Sequence, residues 1–520
     1  MTNAKGKILW VDDEIELLRP HIIFLEERGY DITPVTTAED AISLIKEQPY
    51  DVILLDEMLL GMDGLTALNH IKEINPSLPV VMITKSEEEM IMEEAIGGKI
   101  QDYLIKPVNP SQILMTCKRI LESKKIERER LSRDYPSEFN KVAQMLLSPL
   151  SWEDWAQLYA KLSEWEVELD EHPGLGLRQA LLDQKRSCNS EFARFIETNY
   201  RHWLAGEENR PMLSPDLVDG YIRPLLDNGE RVVFIVIDNL RLDQWLTMEP
   251  YVYNAFHVTR DHYYAILPTA TPYARNAIFS GLYPSDLEAS YPELWSEGSD
   301  DEHSLNKYED ILLAEQLKRL KIDLKSDFKY LKLLDLKHTR MAYKNITSYA
   351  EMPFVAIVVN FVDFLAHSRS DSEVLKEIAP DEAAYRSLTE SWFEHSILLK
   401  ILQKIAQLGN TIVITSDHGS IRSMRGAKVL GDRETSTNLR YKFGKNIKCN
   451  AKQAVSINDP SEYRLPARKI NTNYLIAKED YYFVYPTDYH HYLNYYRDSF
   501  QHGGISMEEM ILPLIKLNSK

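Results

Sequence analysis

The stretch Thr411-Ile412-Val413-Ile414-Thr415-Ser416-Asp417-His418-Gly419 reads as two pieces of different chemistry. Five β-branched residues in a row, too few for a stable helix, predict a strand buried on both faces, as in a parallel sheet. Asp417 and His418 stand just past its C-terminal end, where open α/β sheets hold their ligands. Working outward, residues 231–237 make a second such strand ending at Asp238, and residues 353–359 a third, followed by Asp363 and His367. The i, i+4 spacing of that pair puts both on one helical face, suited to a shared metal. Pro268-Thr269-Ala270-Thr271-Pro272 lies before the third strand. Thr271, followed by a Pro of the kind favoured in a first helical turn, is expected to cap a helix running toward Ser280. A hydroxyl there meets the positive end of the helix dipole, and so would a phosphate carried on it. His502-Gly503-Gly504 closes the set. Three Asp, three His and one Thr, most of them at strand ends, are the complement for two divalent metals beside a hydroxyl, which points to a two-metal hydrolase. Taken singly, each His is an ordinary polar residue and Thr271 an ordinary cap.

Composition bounds this reading. A chain of 520 residues is expected to divide into about two to four domains. Hydrophobic residues at 44% and charged residues at 27% are ordinary for a globular protein with ample core. No apolar stretch approaches the roughly 20 residues needed to span a bilayer, and the N-terminus shows no signal-type apolar region. A cytoplasmic protein without a membrane span is therefore expected. Cys117, Cys188 and Cys449 are far apart and read as reduced thiols, so any metal must rest on Asp and His. The net charge of −19 argues against a protein that coats nucleic acid, since such binding draws on clustered cations. A local exception is Arg422, Arg425, Lys428, Arg433, Arg440, Lys442, Lys445 and Lys448, against only Asp432 and Glu434. Two readings stay open for it: a device that steers an anionic substrate to the metals, and a solvated loop.

The first 120 or so residues alternate short apolar strands with helical patterns, as a parallel α/β domain does. The predicted strands are 7–11, 31–35, 51–55, 79–83 and 102–105. Asp12, Asp13 and Asp56 converge at their C-terminal ends and offer carboxylates to Mg²⁺. Thr84 and Lys106 end later strands, placed to contact a phosphoryl group carried by Asp56, which serves as an aspartyl-phosphate nucleophile. Residues 109–133 are helical and of mixed charge, most simply a solvated face. Residues 136–204 carry Trp152, Trp155, Trp165, Phe192, Phe195 and Trp203 at helix-like spacing and read as a helical bundle whose aromatic residues are core. No helix-turn-helix signal marks a DNA-binding domain. Residues 206–215, with Gly, Asn and Pro, read as a joint.

Asp12-Asp13, Asp56 with Met62-Asp63-Gly64, Thr84 and Asp102-Tyr103-Leu104-Ile105-Lys106-Pro107 resemble the response-regulator receiver domain over residues 4–123. Leu60 departs from the Pro usual there, and Lys85 from a small residue. The order Asp238, Thr271, Asp363/His367, Asp417/His418, His502 resembles the alkaline-phosphatase superfamily over residues 207–520, and the run from His502 through Met510 with Pro513 is similar to its PglZ branch. By that resemblance Asp238, Thr271, Asp417 and His418 hold one zinc, Asp363, His367 and His502 hold a second, and Thr271 attacks phosphorus. Arg275 and Asn276 follow the nucleophile and take either of two roles, contacts to the non-bridging oxygens or plain helix positions. The expected organisation is a flavodoxin-like receiver over 1–123, a helical bundle over 124–205 and an alkaline-phosphatase-like α/β PglZ domain over 206–520. Receiver, bundle and PglZ domain in that order resemble a family of atypical response regulators tied to type IX secretion. The resemblance implies a sensor histidine kinase, a phosphorylation-promoted homodimer, and zinc-dependent phosphodiesterase activity on small linear or cyclic oligonucleotides. It also implies a sigma factor and a secretion-motor component as partners. Two other readings remain: a PglZ domain that binds partners around structural zinc, and a phosphomonoesterase. A sulfatase is disfavoured because it uses a modified Cys or Ser where this chain has Thr271.

Overall fold

The computed structural model describes residues 5–75, 78–85, 100–206, 209–295, 306–324, 327–431, 438–467, 472–487 and 489–520. The chain divides into two compact units, Met1–Glu138 and Phe139–Lys520. In the first, β1 (Lys7–Val11), β2 (Asp31–Val35), β3 (Val52–Asp56), β4 (Val80–Thr84) and β5 (Asp102–Ile105) form one sheet in the order β2-β1-β3-β4-β5, all parallel. Alternation along β1 explains the two covered faces: Ile8 and Trp10 enter one apolar cluster, Leu9 and Val11 the other. This is the flavodoxin-like order, whose strand sequence reverses between β1 and β3 and opens a ligand crevice there. β3 and β4 end one residue later than the apolar runs suggest, so Asp56 and Thr84 are themselves the last residues of their strands.

The helix expected over residues 109–133 is longer: Pro110–Met145 is one helix with Pro136 inside it. The bundle follows as Trp152–Asp170 and Arg178–Leu204. Ser151 and Asp154 close a capping box on the first of these helices, satisfying two of its orphan amides. Trp155 and Phe192 meet at 5.3 Å, and Phe195 and Trp203 at 5.6 Å, so the aromatic positions are core as their spacing predicts.

The second unit is built on β6 (Val232–Ile237), β7 (Phe256–Tyr264), β8 (Lys329–Leu333), β9 (Phe354–Val359) and β10 (Thr411–Thr415). Seven short strands follow: β11 (Ile421–Ser423), β12 (Arg425–Lys428), β13 (Tyr441–Lys445), β14 (Ala454–Ile457), β15 (Thr472–Ala477), β16 (Tyr481–Val484) and β17 (Ser499–Gln501), before the last, β18 (Ile511–Ser519). The main sheet runs β7-β18-β10-β6-β9-β8, with β10, β6, β9 and β8 parallel and β18 antiparallel to both its neighbours. β6, β9 and β10 are buried at every position. Val233, Ile235, Ile357, Ile412 and Ile414 pack one face of them. Because these three strands are adjacent and parallel, Asp238, Asp363 and Asp417 emerge together beyond their C-terminal ends. The short strands form small satellite sheets beyond β10. Cys117, Cys188 and Cys449 are free. Among the described residues no helix is long and apolar enough to cross a membrane.

Candidate metal centre

Two acidic and imidazole clusters stand at that sheet end. In the inner one, His418 Nε2 lies 3.6 Å from Asp238 Oδ1 and 3.8 Å from Asp417 Oδ2, with all three residues buried. The chain leaves β6 in a sharp turn, because Asn239 sits in the left-handed region at φ 64°, which Asn tolerates better than most residues. Asp238 Oδ1 and Asp417 Oδ2 are buried without a hydrogen-bond donor. Buried carboxylate oxygens that accept no hydrogen bond are costly, and two of them sharing one imidazole fit a bound cation. Burial pushes the Asp417 carboxyl up to about 6, against the opposing pull of Arg275. Asp238 moves the same way through burial and the charge of Asp417.

Thr271 completes this cluster, but not as a cap. Ala270 is the N-cap of the Thr271–Ser280 helix and offers no side-chain bond; Thr271 is the first helical residue, and its hydroxyl lies 2.9 Å from His418 Nε2. Arg275, one turn on, lies between two acids. Its Nη1 donates to Asp238 Oδ2 at 2.6 Å and lies 3.7 Å from Asp417 Oδ2, while its Nε donates to Glu309 Oε1 at 2.6 Å. Asn276 donates to Pro272 O at 3.0 Å and accepts from Asn306 at 3.2 Å. Both side chains are buried and hydrogen-bonded within the protein.

The outer cluster comes from the Phe361–Asp371 helix and the loop after β17. His367 Nε2 is 3.4 Å from Asp363 Oδ1 and 3.4 Å from His502 Nε2, and His502 Nε2 is 3.9 Å from Asp363 Oδ1. The His367 side chain is 46% exposed and that of His502 only 2%, so this cluster opens to solvent on the His367 side. Burial works to raise the Asp363 carboxyl, but His367, His502 and His418 hold it well below its usual range. The two clusters adjoin, since the rings of His418 and His502 stack at 4.2 Å. Asn239 ties them, donating from Nδ2 to Asp363 Oδ1 at 3.1 Å and from its backbone to Asp417 Oδ1 at 3.4 Å.

The glycines after His502 have separate reasons. Gly503 has φ 114°, a conformation that strains any side chain. A Cβ on Gly504 would lie 2.6 Å from the backbone oxygen of Ala477. Thr269 fastens the loop, accepting from Gly503 N at 3.1 Å and donating to Gly504 O at 2.8 Å.

In the receiver unit, Asp12, Asp13 and Asp56 can bring ligand oxygens within 4.8 Å of one another, a hard all-carboxylate set that fits Mg²⁺. Lys106 Nζ donates to Asp56 Oδ2 at 2.8 Å and to Asp12 Oδ2 at 3.0 Å. Burial raises the Asp56 carboxyl, and Lys106 opposes the rise. The Thr84 hydroxyl donates to Glu57. Leu60 and Lys85 are both exposed.

The basic stretch is largely spent internally. Arg422 pairs with Asp498, Arg425 with Glu479 and Asp480, and Arg440 with the buried Glu509. Lys442 donates to Asn438 O at 2.8 Å. Lys428, Lys445 and Lys448 are exposed, and Arg433 lies outside the described residues with Asp432 and Glu434.

Fold and site together define a response regulator whose effector is an alkaline-phosphatase-like domain. Family models agree in three parts: the response regulator receiver domain matches residues 8–118, the PorX response regulator linker domain 125–204, and the BREX system PglZ alkaline phosphatase-like domain 217–517. The chain belongs to the PglZ family, in the receiver, linker and PglZ arrangement of PorX-like response regulators. Among curated relatives, the transcriptional regulatory protein ResD of Bacillus subtilis is 34% identical over 115 residues, 22% of this chain and 48% of that protein. BaeR of Escherichia coli is 34% identical over 133 residues, 25% of this chain and 54% of that protein. The chain thus spans about half the length of these relatives. A solved two-component response regulator from Clostridium difficile is 32% identical, covering 22% of this chain and 96% of that one at a TM-score of 0.22.

Proposed function

We propose that this chain is a cytoplasmic response regulator, phosphorylated on Asp56 by a sensor histidine kinase, whose PglZ domain is a zinc-dependent phosphodiesterase. In this reading it acts on small linear or cyclic oligonucleotides in the control of type IX secretion, with a sigma factor and a secretion-motor component among its partners. The observation that carries the enzymatic part is the Thr271 hydroxyl, 2.9 Å from His418 Nε2, beside the undonated oxygens of Asp238 and Asp417 and next to a second cluster. Asp238, Asp417, His418 and Thr271 would hold one zinc and Asp363, His367 and His502 the other, supplying Lewis acidity and lowering the pKa of the attacking hydroxyl. Thr271 Oγ1 would form a bond to phosphorus as the ester bond to the leaving oxygen breaks, the hydroxyl proton passing to water and the leaving oxygen taking a proton from water. Water then cleaves the phosphothreonine ester. The N-terminal end of the Thr271–Ser280 helix would offer its hydrogen-bond donors to the phosphoryl oxygens. The deciding experiment sets metal content beside turnover of a generic phosphodiester and a generic phosphomonoester. Diester hydrolysis with about two zinc per chain is expected; zinc without turnover of either ester would replace the enzyme with a partner-binding module.

Proton competition gives a second test. Carboxyls raised by burial hold protons nearer neutrality, and metal must displace them. Zinc affinity of the inner cluster should therefore fall as pH drops through about 7 and then about 6, the values for Asp238 and Asp417. Chelator competition on His502→Ala protein, expected to keep only the inner ion, measures this; a flat profile would reject the assignment.

For the receiver, acetyl phosphate with Mg²⁺ should add one phosphoryl group at Asp56 and raise the dimer fraction, while Asp56→Ala stays unlabelled and monomeric. Intact mass and light scattering read both. Label on Asp56→Ala would move the site elsewhere.

A further inference from the structure

Three of the backbone segments that carry the metal centre are 267–271, 416–420 and 502–510, with Thr271, Asp417 and His418, and His502. The linker helix Arg178–Leu204 bonds directly to two of them. Tyr200, buried, accepts at its hydroxyl from Leu267 N at 2.8 Å, four residues before Thr271. Asn189 grips the other in a two-way clamp, accepting at Oδ1 from Met507 N at 2.8 Å and donating from Nδ2 to Glu508 Oε2 at 2.9 Å. Lys185, one turn earlier, joins Glu508 Oε1 at 3.0 Å to Glu166 of the preceding helix at 2.7 Å. Residues 185, 189, 192, 196 and 200 recur at helical spacing, so one face of this helix meets the domain.

The short Met507–Met510 turn passes that grip onward. Glu509 O accepts from Gly419 N at 3.3 Å, beside His418, and Glu509 Oε1 accepts from Gly504 N at 2.8 Å, two residues past His502. The fit leaves no slack at Gly419, where a Cβ would lie 2.0 Å from Glu508 O. One turn thus ties the inner cluster to the outer, and the linker helix holds that turn.

We propose that the Arg178–Leu204 helix is a positioning element of the catalytic centre rather than a spacer, with Tyr200 setting the nucleophile segment and Asn189 with Lys185 setting the two imidazole segments. The linker's conformation then fixes metal affinity and turnover together. This rests on the metal reading above but not on the identity of the ester.

Full-length Asn189→Ala and Tyr200→Phe test it, with Arg186→Ala on the exposed side of the same helix as control. Asn189 acts on the ligands through the Met507–Met510 turn, so Asn189→Ala should bind zinc measurably more weakly in chelator competition without substrate, by up to the about 10–100-fold seen for direct partners of metal ligands. Tyr200→Phe should keep its zinc affinity and its KM for a generic diester while kcat drops by about tenfold or more, as misplacement of a reacting group produces. A purely structural role would lower the midpoint of unfolding and leave zinc affinity and the kcat-to-KM split of the folded protein at parent values, and that result would overturn the proposal. Should Asn189→Ala fail to fold, Tyr200→Phe, which removes a single oxygen, carries the test alone. Should the parent bind zinc without turnover, the hydrolase reading falls and the zinc measurement on Asn189→Ala still decides this one.

Discussion

Thr271→Ala protein should fold, keep most of its zinc and lose phosphodiester turnover by about three orders of magnitude or more. That magnitude is what removal of a covalent nucleophile costs when the rest of a site remains. The structure makes the experiment cleaner than the sequence suggested, because Thr271 does not cap its helix: Ala270 occupies the cap position, so no cap bond is lost. What disappears is one hydroxyl contact to His418, about 1 kcal/mol of stability at most. Thr271→Ser, which restores a hydroxyl, should recover a measurable part of the rate. Hydrolysis by Thr271→Ala at the parent rate would overturn the mechanism whatever its metal content.

Arg275→Met should cost about 3–5 kcal/mol in metal-free protein, the usual penalty for leaving buried carboxylates without their cation. Asp238 and Glu309 each lose a 2.6 Å partner, and Asp417 loses its nearest guanidinium at 3.7 Å. Saturating zinc should recover much of the loss, since a dication at Asp238 and Asp417 restores the missing charge. Urea unfolding with and without zinc reads the difference. An Arg275→Met protein as stable as its parent without metal would mean that the guanidinium is not the counter-charge of these carboxylates.

The parallel strands were legible because a run such as 411–415 has little choice but to be buried, and Asp238, Asp363 and Asp417 follow such runs. β7 and β18 were not, since Phe256–Tyr264 mixes Arg260, Asp261 and His262 into a strand and carries no clean apolar signal. Residues that organise the site were silent for a related reason. Asn239 looks like a turn residue and Glu309 like one more acid on a surface helix, yet each acts through partners far along the chain. The pairing of the basic stretch was hidden in the same way: the acids that pair with Arg422 and Arg425 stand at 479, 480 and 498, beyond any window in which charge is counted. Local pattern reports which segments are buried. It does not report which buried charges meet.

A chain whose acidic centre carries its own permanent cation does not have to wait for zinc before it can fold. In small zinc domains the ion is the folding energy, and its removal unravels the chain. Here the guanidinium of Arg275, held between Asp238 and Glu309, already lies within the acidic centre when the polypeptide closes. On the zinc reading proposed above, newly made protein would then collect as a folded, dormant pool under metal scarcity instead of being lost to proteolysis, and a rise in available zinc would switch on molecules already present without new synthesis.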